Sequence, residues 1–228
     1  MTGQLIEFGA DGDGQKTCGY LAAPPAAAGP GLILIQEWWG LVDHILDVAD
    51  RFAAEGFVVL APDLYHGKKA KSPDEAAKLL MALNIAEAAA EIRQASEFLQ
   101  NFPSVTRKKV GAVGFCMGGQ LALYAALEYP KDISAAVDFY GAHSKVGIRP
   151  EELRVPILLH FGKRDKSIPE AVARALIAQL QARQPAVEGY FYEAGHGFFN
   201  DTRPNAYVAA DAELAWNRTL AFLRTHLA

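Results

Sequence analysis

Gly114-Phe115-Cys116-Met117-Gly118-Gly119 is a strand-to-helix turn with a thiol at its apex. The apolar run VGAVGF (110–115) before it has the length and composition of a buried strand, and QLALYAALEY (120–129) after it reads as a helix. Glycines on both sides of Cys116 let a strand and a helix approach closely, so the side chain between them projects from the turn. A nucleophile needs that geometry, and a structural cysteine packed between glycines satisfies the same local pattern. What stands around the turn decides between the two readings.

Outward from this turn, strands and helices alternate. GLILIQ (31–36), FVVLAP (57–62), AAVDFYG (135–141) and PILLHFG (156–162) are short, continuous apolar runs, as expected of strands buried on both faces. VEGYFYEA (187–194) alternates and reads as the last strand. Between them lie helical patterns. Asp43 is the expected N-cap of a helix that Gly56 closes. Ser72-Pro73 with Glu75 opens a second, and residues 84–100 repeat apolar side chains at helical spacing. Residues 169–183 and 205–226 are the expected final helices. The stretch 22–31, AAPPAAAGPG, reads as a loop too short to separate domains. The expectation is a single α/β domain over residues 1–228, with a mainly parallel sheet and helices on both faces. Functional side chains then belong at the carboxyl ends of the strands.

Composition narrows the function. The 228 residues are 51% hydrophobic and 21% charged, with a net charge of −4 and no basic block, so no nucleic-acid partner is expected. No apolar window reaches the length of a membrane span, and residues 1–15 lack the pattern of a secretory signal. Cys18 and Cys116 are the only cysteines, too few for a disulfide framework or a cysteine-rich zinc site. A reducing, cytoplasmic setting with no cofactor and no metal is expected.

A thiol nucleophile needs a base, and a histidine base needs a carboxylate to fix its tautomer. His196 lies between two glycines just after the last strand. His160 sits inside an apolar strand and reads as a core histidine, whereas His66 and His143 follow strands and line a pocket in the alternative reading. Asp165 follows the strand 156–162 directly; a turn or cap residue would look the same there. The order Cys116, Asp165, His196, each after its own strand, is the order nucleophile, acid, histidine of the α/β-hydrolases. An oxyanion hole would take the backbone N–H of Met117 and, from QEWWG (36–40), that of Trp38. Glu37 is a carboxylate at the end of a buried strand, which is costly unless it is paired.

These residues resemble the dienelactone hydrolase family, the cysteine branch of the α/β-hydrolase fold. The resemblance runs along nearly the whole chain through QEWWG, APDLYHG, GFCMGG, DFYG, GKRDKSIP, AGHGFFND and the terminal AWNRTLAFL. It implies Cys116 as nucleophile, His196 as base and Asp165 as acid. It also implies that Glu37 switches the thiol between a resting and an active form. The implied reaction is attack on a small-molecule ester or lactone, through an acyl-thioester. Family members acting on dienelactone grip the substrate carboxylate with two arginines. Four residues past His196 this chain has Asn200 instead, with Arg203 three further on, and residues 67–83 contain Lys68, Lys69, Lys71 and Lys78 but no arginine. Trp39, Lys78, Tyr140, Phe199, Asn200 and Arg203 are the expected substrate-binding candidates; a loop ion pair with Asp201 or a cap for the last helix is the rival reading of that arginine. A monomer is expected. General small-ester hydrolysis, acyl transfer and a non-catalytic binding module are the competing functions.

Overall fold

Gly31 to Ile35 are buried without exception, and so are Val58 to Pro62 and Ile157 to Gly162. Strands of this kind need cover on both faces, and the structure, a computed structural model, supplies it. It describes residues 3–10, 14, 16–24, 28–184 and 186–227. The described elements are strands β1 (Gln4–Ala10), β2 (Lys16–Ala22), β3 (Gly29–Ile35), β4 (Val58–Pro62), β5 (Val105–Phe115), β6 (Ala135–Phe139), β7 (Ile157–Gly162) and β8 (Val187–Tyr192). The helices are α1 (Asp43–Ala54), α2 (Pro73–Ala82), α3 (Ile85–Asn101), α4 (Met117–Glu128), α5 (Glu170–Gln181) and α6 (Ala209–Leu227).

The strands form one sheet in the order β1-β2-β4-β3-β5-β6-β7-β8. From β4 to β8 every pairing is parallel, while β1 and β2 add on antiparallel at one edge. Alternation along each strand divides the core in two. Leu32, Leu34, Val113 and Phe115 face Ile45, Phe52, Leu220 and Leu223 of α1 and α6. Ile33, Ile35, Val110 and Ala112 face Ile92, Leu99, Leu121 and Ile177 of α3, α4 and α5. No helix among the described residues is long and apolar enough to cross a membrane.

Local chemistry sets most helix ends. Ser72 caps α2 by accepting the Glu75 N–H at 3.3 Å, and Pro73 fills its first position. Asn84 caps α3 through the N–H of Ala86 at 3.1 Å. Asp43 differs from expectation. Val42 is the cap residue and Asp43 already lies in the first turn of α1, where its charge favours the helix N-terminus without a capping hydrogen bond. The last helix begins at Ala209 rather than residue 205, because the N–H groups of Ala206 and Tyr207 turn back to Arg203. β3 starts at Gly29, inside the stretch read as a loop; Pro25, Ala26 and Ala27 of that stretch lie outside the described residues, as do parts of residues 1–15.

Candidate active site

The parallel strands end along one edge of the sheet, and the chemistry-bearing residues follow them: Glu37 after β3, Cys116 after β5, Tyr140 after β6, Asp165 after β7 and His196 after β8. Cys116 occupies the turn between β5 and α4 with φ 56° and ψ −121°. A non-glycine residue holds this conformation only when its surroundings over-determine it. Here the Cys116 N–H donates to the Phe139 carbonyl at 2.8 Å, and the Cys116 carbonyl accepts from Gly119 at 3.1 Å. The flanking glycines allow the packing: a methyl on Gly114 would strike the Gly118 carbonyl, and one on Gly118 the carbonyls of Ile35 and Gln36.

Three side chains from three strand ends meet at this turn. His196 Nε2 is 3.2 Å from Cys116 Sγ, and its Nδ1 is 2.8 Å from Asp165 Oδ2. The other Asp165 oxygen accepts the N–H of Ser167 at 2.7 Å and of Ile168 at 2.9 Å. Asp165 therefore closes its own turn with one oxygen and faces the imidazole with the other. Burial opposes a charge on the His196 ring. The hydrogen bonds to Asp165 and Cys116, with their negative charges, outweigh it and raise its pKa to about 10.

Met117 opens α4, where N–H groups have no intrahelical acceptor. Trp38 sits in a turn that the Gly40 N–H closes on the Glu37 carbonyl at 3.2 Å. The close approach at Gly118 brings this turn's strand against the start of α4. Glu37 is buried, and both of its oxygens are occupied by neutral donors: Tyr140 Oη at 3.3 Å and Asn200 Nδ2 at 3.0 Å. Burial, then the Glu37 charge, push the Tyr140 phenol well above its ordinary pKa, so it stays a donor. Tyr140 is itself held at φ 47°, in a turn where the Gly141 N–H donates to Asp138 Oδ1 at 2.7 Å.

A cavity of about 230 Å³ opens onto Cys116, Met117 and His196. Trp38, Leu80, Ala142 and Ile168 give it apolar walls, and Tyr140, His143, Ser167 and Arg203 supply polar groups. Several substrate-binding candidates are placed elsewhere. Lys78 is exposed on α2 and does not line this cavity, because Leu80 is the residue of that helix turned toward it. Phe199 is a core residue stacked 5.1 Å from Phe115. Asn200 is spent on Glu37, and Trp39 backs Trp38 at 5.2 Å rather than lining the cavity. Arg203 does line it, with its guanidinium 5.2 Å over the Trp39 ring; Asp201 pairs with Arg51 at 2.7 Å, so the Arg203–Asp201 pair of the rival reading is not made. His160 is buried between Tyr192 Oη at 2.8 Å and Thr219 Oγ1 at 3.0 Å, as a core histidine should be. His66 lies apart from this cavity, beside Glu91 at 3.3 Å. Leu80, Ala142 and Ile168 carry no chemical signature in sequence; only their approach to the strand ends brings them here.

A thiol, a carboxylate and an imidazole at the ends of β5, β7 and β8 of this sheet define the class as an α/β-hydrolase. Residues 18–227 match the model of the dienelactone hydrolase family, and the chain belongs to that family. It is 38% identical over 232 residues to "Protein usf" of Aquifex pyrophilus, covering 99% of each chain. It is 30% identical over 223 residues to the carboxymethylenebutenolidase of Pseudomonas putida, covering 92% of each. A solved structure of a candidate dienelactone hydrolase from Klebsiella pneumoniae subsp. pneumoniae is 27% identical, with a TM-score of 0.83 over 97% of this chain and 99% of that one. The chain is thus a dienelactone hydrolase-like enzyme acting on ester or lactone bonds.

Proposed function

We propose that residues 1–228 act as one domain and one monomeric, metal-free and cofactor-free catalyst, in the cytoplasm, that hydrolyses small-molecule esters or lactones through an acyl-thioester on Cys116. The observation that carries this reading is the continuous hydrogen-bonded line from Asp165 through His196 to Cys116 Sγ.

Transfer of the Sγ proton to His196 Nε2 gives an imidazolium–thiolate pair, the ionic form that the raised His196 pKa favours, and Asp165 stabilises that imidazolium. The sulfur attacks the carbonyl carbon, and the carbonyl electrons move to oxygen. The N–H groups of Met117 and Trp38 receive that oxyanion. When the tetrahedral adduct collapses, the alkoxide leaves with the proton from His196. Water then attacks the thioester as His196 removes its proton. The second adduct expels the thiolate and the carboxylic acid departs. Glu37 supplies a buried negative charge beside this machinery. Tyr140 and Asn200 donate to its two oxygens, and we assign to it the control of when the thiol ionises.

Replacing Cys116 with Ala tests the reading: turnover of p-nitrophenyl acetate should vanish, and iodoacetamide should label wild-type Cys116 stoichiometrically. Full activity in the alanine variant would overturn it. Acyl transfer to alcohols or thiols is read from the same assay by product analysis.

A further inference from the structure

His143 stands on the loop after β6 and lines the same cavity as Cys116 and His196. Its ring is committed to one tautomer. Nδ1 receives the backbone N–H of Lys145 at 3.1 Å. A backbone N–H only donates, so Nδ1 carries a lone pair and the neutral ring keeps its proton on Nε2.

The loop that carries the ring is fastened at three points. Gln120, in the first turn of α4, accepts the His143 N–H with its side-chain oxygen. The same amide donates to the Val146 carbonyl at 2.7 Å. Lys145 Nζ donates to the carbonyls of Leu80, Met81 and Leu83 at 3.0, 2.7 and 2.8 Å, tying the loop to the end of α2. The imidazole is therefore held in place by the nucleophile's own helix and by the helix that supplies Leu80 to the cavity. Nε2 has no hydrogen-bond partner among the described residues.

We propose that His143 Nε2–H is a fixed donor that reads a second oxygen of the substrate, separate from the carbonyl that Cys116 attacks. The preferred substrates are then esters or lactones that carry an additional ether, carbonyl or carboxylate oxygen. Of the other polar groups in the cavity, Arg203 is a charged donor over the Trp39 ring that favours anionic groups, whereas Tyr140 and Ser167 select less. Tyr140 is engaged with Glu37, and the Ser167 hydroxyl donates or accepts equally well. The neutral His143 ring, with Nδ1 occupied, can only donate. A substrate oxygen left facing a leucine would lose that bond, whereas an all-carbon chain would not notice the change.

The assignment rests on the Cys116 thioester reading, and matched esters separate the two. p-Nitrophenyl butyrate is compared with the methoxyacetate, and the pentanoate with the 3-methoxypropanoate, in wild type, His143→Leu and His143→Gln. In His143→Leu, at least one ether ester should lose about fivefold to tenfold in kcat/KM, mainly through KM, while its alkyl match changes less than about twofold. His143→Gln, which offers an amide N–H, should restore part of the loss. Equal losses for ether and alkyl esters, or ratios within about twofold of wild type, would overturn the assignment of His143 and leave Cys116 untouched. A wild-type enzyme that cleaves none of the four esters would sink the Cys116 reading and this one together.

Discussion

His196 spans the 3.2 Å to Cys116 Sγ with one ring nitrogen and the 2.8 Å to Asp165 Oδ2 with the other. The carboxylate therefore fixes which nitrogen faces the sulfur. Asp165→Asn keeps the size and can keep the turn bonds to Ser167 and Ile168, but it presents a neutral amide to the ring. We expect kcat for p-nitrophenyl acetate to fall by about 10³ to 10⁴, with little change in fold, as seen when a triad carboxylate is neutralised. Steady-state kinetics beside a circular dichroism spectrum would check it; activity within tenfold of wild type contradicts the role given to Asp165.

The same pair makes stability depend on pH. The His196 pKa lies near 10 in the folded protein against 6.5 for a free ring, so the native state binds this proton more tightly. That stabilisation is complete below about pH 6.5 and disappears as pH climbs through about 10. The gap in unfolding midpoint between wild type and His196→Gln should be constant at low pH and close steadily across this window. A gap that widens toward alkaline pH runs against the account.

Gly118 gives a test of the turn itself. A methyl there meets the carbonyls of Ile35 and Gln36, so α4 must withdraw from β3. Gly118→Ala should cost about 1 to 3 kcal/mol in denaturant unfolding. It should also lower kcat more than it raises KM, because Met117 and Trp38 are moved apart. Unchanged stability and kcat would show that the close approach is not needed.

Lys145 links two walls of the cavity through three carbonyls at the end of α2. Lys145→Met removes those charge-assisted bonds while keeping the aliphatic stem. We expect about 1 to 2 kcal/mol of lost stability and a raised KM, since Leu80 is no longer held against the cavity. An unchanged KM would mean that α2 is held in place by packing alone.

Most of the sheet was legible because β4, β6, β7, residues 31–35 of β3 and residues 110–115 of β5 are buried on both faces and read as unbroken apolar runs. β1 and β2 were not, because β1 is an edge strand with mostly exposed side chains and no alternation strong enough to stand out. Cys116, Asp165 and His196 were legible through their order and their positions after strands. Trp39, Phe199 and Asn200 lie in the same signature stretches, yet Phe199 turns to the core, Asn200 to Glu37, and Trp39 packs against Trp38 beneath Arg203, a choice made by packing. The Glu37–Tyr140–Asn200 contacts join residues 103 and 163 positions apart, and no local pattern announces them. The same holds for His143, whose tautomer depends on one backbone N–H two residues away.

The central claim is a covalent acyl-thioester on Cys116. Rapid acid quench of the enzyme turning over p-nitrophenyl acetate, followed by intact-protein and peptide mass spectrometry, tests it most directly. An acetyl group on the peptide containing Cys116, absent from Cys116→Ala and accumulating in His196→Gln if its hydrolysis is slowed more than its formation, is the predicted result. Continued turnover with Cys116 unmodified, or acetyl carried by a different side chain that is needed for activity, would contradict it.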